Sequence, residues 1–340
     1  MKATDTRPLG RTGLPVSQIG FGAAPLGNLY ESFPDRQAYE TVRAAWDAGI
    51  RLYDTAPLYG FGLSEHRIGE ALRWERRADY VLSTKIGRLL HPADPATLDT
   101  GLFKGTLPFR PEYDYSYDGV MRSVEDSLQR LALERIDILL IHDVDHWTHG
   151  DPAVVDKHFA DVMAGGYKAM VKLREEGVIK AIGAGVNEWE MCQRFAEAGD
   201  FDCFLLAGRY TLLEQEPLDS FLPLCERRGI GIILGGPYNT GILATGAVEG
   251  AYYNYAAASP EIMERVRGIE AVCRRHGVPL ASAALQFPFG HPAMSSVIPG
   301  ARTPAEVTRT IDTFAHDIPS DLWADLKAEG HLREDAPVPG

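Results

Sequence analysis

Beyond Asp35 the chain alternates short apolar runs, often β-branched, with longer stretches in which apolar positions recur every three or four residues. Runs of the first kind read as strands buried on both faces and the longer stretches as amphipathic helices. Their alternation is the pattern of βα units around a parallel sheet. The strand-like runs are 18–23, 51–55, 80–86, 136–142, 179–186, 203–210, 230–235 and 296–299. Eight is the number that closes a parallel barrel, so the sequence predicts an α/β fold, a (β/α)8 TIM barrel, as a single domain over 1–340. Met121, Val124, Leu128 and Leu131 share one helical face, as do Leu218, Phe221, Leu222 and Cys225. Gly49, Gly177, Gly229 and Gly277 stand where helices should stop. Ahead of the first barrel strand, 7–17 reads as a β-hairpin turning at Gly10-Arg11-Thr12-Gly13 and plugging the bottom of the barrel. The core spans 7–333, and 334–340 is a polar tail.

The connections are uneven. Those leaving strand C-termini are long at 87–116, 143–156 and 237–259 and rich in Tyr, His and Trp, whereas the returns are short. Active sites of such barrels are built from these loops.

Composition narrows the partners. A formal charge of -13, with no Lys/Arg run, disfavours nucleic acid and anionic membrane surfaces. Neither an N-terminal apolar stretch nor an apolar run of about 18 residues marks export or a membrane span, and a cytoplasmic address is the default expectation. Cys192, Cys203, Cys225 and Cys273 form no CxxC pair and read as free thiols, with no metal site predicted.

Four residues with chemical potential fall at or just past the ends of three consecutive predicted strands: Asp54, Tyr59, Lys85 and His142. Parallel strands end on one face of a barrel, so these side chains can converge. A tyrosine is a poor base near neutrality, but a neighbouring ammonium lowers its pKa, a role open to Lys85. A buried lysine in turn needs a carboxylate, which Asp54 supplies. His142 is placed to orient a substrate oxygen and share the proton. Taken singly, each residue could equally be a surface ion pair or a core histidine.

The surrounding words, Asp54-Thr-Ala-Pro-Leu-Tyr59-Gly, Ser64-Glu65, Ile68-Gly69-Glu70-Ala71-Leu72, Leu9-Gly10-Arg11-Thr12-Gly13, the stretch 176–183 leading to Asn187, and Val297-Ile-Pro-Gly-Ala301, resemble the aldo-keto reductases along essentially the whole chain. The resemblance implies hydride transfer between a nicotinamide cofactor, NAD or NADP, and a carbonyl or alcohol carbon, with Asp54, Tyr59, Lys85 and His142 as the catalytic tetrad. No GxGxxG is present, since 20–25 and 183–188 both break it at the last position. By resemblance the cofactor lies across the barrel mouth near Gly22 and Ala23, with Asn187 on the carboxamide. The family's neighbouring Ser, Gln and stacking aromatic are replaced by Val186, Ala207 and Gly235. Gly235, Gly236, Pro237, Tyr238, Asn239 and Gly241 form a loop able to cradle the pyrophosphate. Pro299, Gly300, Ala301, Arg302, Glu306 and Arg309 lie at the adenosine end. Gly300 and Glu306 stand where NADP-preferring members carry a Lys and an Arg, which favours NAD, although Arg302 and Arg309 could still serve a phosphate.

Finer likeness, at 22–27 and 206–215, points to the branch holding D-threo-aldose 1-dehydrogenases and pyridoxal 4-dehydrogenases, which oxidise cyclic hemiacetals to lactones. The implied partner is a small sugar of the L-fucose type, with Tyr59 as general base. A pyridoxal-like substrate giving 4-pyridoxolactone, an NADPH-dependent aldehyde reductase and a non-catalytic nucleotide-binding subunit are the alternatives. Tyr113, Trp147 and Tyr253, with Tyr59 and His142, are the named substrate contacts, and Tyr115, Tyr117, His146, Tyr252 and Tyr255 are further loop candidates. Monomer and homo-oligomer both stay open.

Overall fold

The computed structural model describes residues 1–340. Eight parallel strands follow one another in chain order: β1 (Phe21–Gly22), β2 (Leu52–Asp54), β3 (Val81–Ile86), β4 (Ile138–His142), β5 (Ala181–Val186), β6 (Cys203–Ala207), β7 (Gly231–Gly235) and β8 (Met294–Ile298). Parallel bridges between Ile19 and Val297 and between Gly22 and Gly300 join the last strand to the first and close the barrel. The register sets Asp54 beside Ser83, Lys85 beside Leu140 and His142 beside Gly185. The strand ends that carry chemistry therefore lie on neighbouring strands at the same end of the barrel.

Alternation along the strands divides the core in two. Leu52, Val81, Ile138, Leu140, Ala181, Cys203, Leu205, Ile233 and Ile298 point into the barrel, and a larger cluster including Tyr53, Leu139, Ile141, Phe204 and Ile232 points out against the helices. The predicted hairpin, Thr6–Pro8 with Pro15–Ser17, closes the bottom by adding Leu9 and Val16, both fully buried, to the inner cluster. Its turn passes so close to β7 that a side chain at Gly10 would collide with Gly229 and Gly231. Truncating an inner residue such as Leu140 to alanine would cost about 2–5 kcal/mol.

Gly49, Gly177, Gly229 and Gly277 all take positive φ at helix ends, between 63° and 87°, as predicted. The four cysteines are buried and free. Other boundaries move. The sixth strand stops at Ala207 instead of 210 because Gly208 turns to φ +65, and the eighth begins at Met294. Leu218 belongs to a 3-10 turn, Glu216–Asp219, preceding the helix Phe221–Arg228.

The long loops also carry structure of their own. Residues 87–116 contain a hairpin, Arg88–Pro92 with Phe109–Tyr113. The 143–156 connection holds the short helix His146–His149 and the start of Pro152–Asp161, which runs through a π turn, Val162–Gly166, into Tyr167–Glu175. The 237–259 loop folds into Ile242–Thr245 and a small hairpin, Tyr252–Tyr253 with Ala256–Ala257. The 334–340 segment lies against the body: Ala336 is fully buried, and a side chain at Gly290 would collide with Pro337.

Candidate functional site

The tetrad converges at the barrel mouth. Lys85 Nζ lies 2.7 Å from Asp54 Oδ2 and donates to Thr55 O at 2.9 Å, while Ser83 Oγ donates to Asp54 Oδ1 at 2.6 Å. The ammonium sits 4.7 Å from the centre of the Tyr59 ring, whose edge meets His142 at a centroid distance of 5.7 Å. Tyr59 is held by its turn. Its amide donates to Ala56 O and its carbonyl accepts from Ser64, and backbone crowding at Gly27 and Gly60 leaves no room there for side chains. Ser64 donates to Ala23 O at 2.8 Å. Glu65, wholly buried, accepts from Thr84 at 2.7 Å and from Arg130 at 2.5 Å. The Ser64-Glu65 word thus pins the tyrosine turn to β1 and β3.

The electrostatics correct one expectation. Burial pushes the Tyr59 hydroxyl above its ordinary pKa, and Lys85 pulls it only part of the way back, with Asp54 and Asp143 acting in the same sense as burial. Tyr59 itself is only partly buried and lines the cavity. The charge on Lys85 is already balanced by Asp54, so less of it is left for the phenol. Burial alone would lower the Lys85 ammonium, yet Asp54 and Tyr59 raise it above its usual value. His142 falls well below 6.5 through burial, reinforced by Arg88 and Lys85. The tetrad at neutral pH is therefore a phenol, an ammonium paired to a carboxylate, and a neutral imidazole suited to donating a hydrogen bond rather than a proton.

A cavity of about 660 Å³ opens over these groups, lined among others by Leu58, Tyr59, Lys85, His142, Val186, Asn187, Leu205 and Ala207. Asn187 is anchored by Asp145, which accepts from its backbone N at 2.6 Å and its Nδ2 at 3.2 Å. That leaves the amide oxygen as the free acceptor for a carboxamide. A second cleft of about 430 Å³ is lined by Tyr238, Gly241, Gly300, Ala301, Arg302, Glu306 and Arg309. Ala24 faces the first and Pro25 the second, so the two lie side by side.

This arrangement fits an extended dinucleotide. Gly236 and Gly241 take positive φ, and a side chain at Gly241 would meet open space. Gly22 and Gly300 pair so closely that a Cβ at Gly300 would press on Pro25. Not every predicted group is free. Asn239 is buried and spent within the protein, donating to Gly208 O at 2.9 Å and accepting from Thr211 at 2.6 Å. Glu306 accepts from Arg302 N at 2.6 Å while its own N–H bonds the Thr303 cap, so one carboxylate oxygen serves the helix start. Arg302 pairs with Glu31 at 3.1 Å.

Among the aromatic candidates, Tyr113, Trp147 and Tyr255 line the cavity, with Trp147 and Tyr255 5.8 Å apart at its mouth. Tyr253 does not, because its hydroxyl is turned to Glu214. Tyr115 is buried and donates to His142 O at 2.7 Å, and His146 is tied to Glu188. Tyr117 packs on the helical core and Tyr252 is exposed. Leu29, Leu102, Phe103, Arg88 and Asp143 line the cavity without having been singled out from the sequence. Only the Arg88 position, three beyond Lys85, and Asp143, directly after His142, carried a local signal.

The aldo/keto reductase family model matches residues 18–329. A pyridoxal 4-dehydrogenase from Microbacterium luteolum is 44% identical, covering 97% of this chain and 98% of that protein. A D-threo-aldose 1-dehydrogenase from a Pseudomonas species is 40% identical, covering 94% and 95%. Among solved structures, the glycerol dehydrogenase of Gluconobacter oxydans superimposes with a TM-score of 0.74 at 22% identity, over 99% of this chain and 100% of that one, a likeness of fold. No helix is long and apolar enough to cross a membrane. The chain is an oxidoreductase that belongs to the aldo/keto reductase family and works with a nicotinamide cofactor on a small-molecule substrate.

Proposed function

We propose that the chain oxidises the cyclic hemiacetal of an aldose of the L-fucose type at C1, giving the lactone, with NAD as cofactor. NAD, when bound, supplies the acceptor for the hydride leaving the anomeric carbon. Tyr59, in the phenolate form that Lys85 stabilises, takes the hydroxyl proton and becomes the phenol, and Asp54 keeps Lys85 charged. Neutral His142 holds the reacting oxygen by a hydrogen bond. The observation that carries the reading is the buried Lys85–Asp54 pair at 2.7 Å beneath the Tyr59 ring. In this geometry one tyrosine can part with or accept a proton at the floor of the cavity. The relatives named as pyridoxal and aldose dehydrogenases favour the oxidative direction.

Asn187, Gly22, Ala23, Gly235, Gly236, Pro237, Tyr238, Gly241, Pro299, Gly300, Ala301, Arg302 and Arg309 would hold the cofactor. Glu306 beside Gly300 would accept from a ribose hydroxyl and repel a phosphate dianion, which supports NAD over NADP. A second reading, the pyridoxal hemiacetal, has its own support: Leu102, Phe103, Trp147 and Tyr255 offer flat apolar walls to an aromatic ring. The test is turnover of purified protein with NAD or NADP over a panel of free sugars and pyridoxal at mildly alkaline pH, followed by absorbance of the reduced cofactor. Silence with every hemiacetal, together with NADPH-dependent reduction of aldehydes, would overturn the proposal.

A further inference from the structure

Arg88 stands in the wall of the cavity as a buried guanidinium. Its side chain is 5% exposed, its Nη2 lies 3.0 Å from Asp143 Oδ2 and donates to the Tyr113 hydroxyl at 3.2 Å, and its Nη1 is buried without any partner in the protein. An unpaired buried guanidinium N–H is costly, and folded proteins seldom keep one that nothing satisfies.

The backbone takes trouble to put the pair there. Gly87 turns at φ +105 where any side chain would collide with Tyr115, which swings the chain out of β3 and sets Arg88 opposite Tyr113 in the hairpin. Asp143 adopts φ +52, a left-handed conformation uncommon for non-glycine residues. It lies directly against the chemistry, with Oδ2 3.4 Å from His142 Nε2, and both Arg88 and Asp143 line the cavity that holds Tyr59.

We infer that Arg88 and Asp143 form the specificity-determining pair of this enzyme, reading an alcohol hydroxyl on the carbon next to the reacting one, the 2-hydroxyl of an aldose. The inference rests on the hemiacetal-oxidation reading above. Arg88 donates and Asp143 accepts, so together they match a neutral hydroxyl, which both accepts and donates. An ionised phenol such as the 3-oxygen of pyridoxal can only accept, and it would bring a negative charge against Asp143. The pair therefore selects a sugar over the pyridine substrate. It is not part of proton transfer: its contribution is to fix the C1–C2 bond so that the C1 hydroxyl meets Tyr59 and His142.

The experiment compares kcat/KM with NAD for an aldose, its 2-deoxy counterpart and pyridoxal in wild type, Arg88→Met and Asp143→Asn. Asparagine tolerates left-handed φ and so guards against a folding failure of the arginine variant. The wild type is expected to favour the aldose over the 2-deoxy sugar about ten- to hundredfold, the range for a hydrogen bond to a charged group. That ratio should fall below about threefold in at least one folded variant, because only the 2-hydroxyl contact is lost. A merely structural role would lower all rates in parallel and leave the ratio unchanged, which overturns the proposal, as does a wild type indifferent to the 2-hydroxyl or one that prefers pyridoxal. A wild type inert on every hemiacetal overturns the underlying reading, and the proposal with it.

Discussion

Replacing Lys85 with methionine separates what the buried pair does for stability from what it does for chemistry. The Lys85 and Asp54 side chains are only 1% and 3% exposed, at 2.7 Å from each other. Methionine fills much the same volume but leaves Asp54 with Ser83 as its remaining side-chain partner. Breaking a buried pair in this way costs about 3–5 kcal/mol. Unfolding entropy of about 2.1 cal/mol/K per residue amounts to about 0.7 kcal/mol/K for a chain of 340 residues. The melting temperature should therefore drop by about 4–7 °C. Adding Asp54→Asn removes the stranded charge, so the double variant should regain most of the loss, while turnover stays abolished in both. Calorimetry and cofactor absorbance on the same preparations read the two effects. A single variant that loses less than about 1 °C, or a double variant that loses the sum of the two singles, would refute the reasoning.

Tyr59→Phe should lower kcat by about 10²–10⁴ while a fluorescence titration finds cofactor affinity little changed, since only the transferring hydroxyl is gone. Because burial holds the Tyr59 phenol above its ordinary value, its base form grows only as pH rises. Oxidative turnover should accordingly climb from pH 7 toward pH 10, without an inflection near the ordinary histidine value, His142 being neutral throughout. A pH–rate series that declines over that interval would rule out Tyr59 as the base. Gly27→Ala drives a methyl group into the backbone of Tyr59 and Gly60. It should cost about 1–3 kcal/mol in thermal unfolding and depress kcat through the displaced tyrosine, although it touches no substrate.

Much of this molecule can be read in one dimension because barrel strands are local in sequence and their order in space repeats their order in the chain. The apolar runs around Leu82, Leu139 and Ile182 announce strands, and the glycines after helices announce stops, since φ beyond +60 suits little else. Asp54, Lys85 and His142 are visible for the same reason: a parallel barrel brings strand C-termini together whatever lies between. The hairpin plug is legible in its turn.

What stays hidden depends on the loops and on competition among charges. Asn239 and Tyr253 look like ligand contacts in a Gly- and Tyr-rich loop, yet Thr211, Gly208 and Glu214, from the loop following β6, occupy their polar groups. Arg88, though near Lys85 in sequence, shows its role only in the fold, where the hairpin pairs it with Tyr113 and Asp143 supplies the countercharge. The balance at Tyr59 is likewise a tertiary matter. Residue types indicate that Lys85 must lower the phenol's pKa, but only the desolvation of the folded site and the nearness of Asp54 and Asp143 decide that burial outweighs it. The sequence by itself determined the barrel, its closure and the convergence of Asp54, Tyr59, Lys85 and His142 at one end of it, because these follow from periodicity and strand order. Which loop side chains are free to meet a ligand, and in which protonation state the tyrosine waits, depended on distances and desolvation that exist only when the chain is folded.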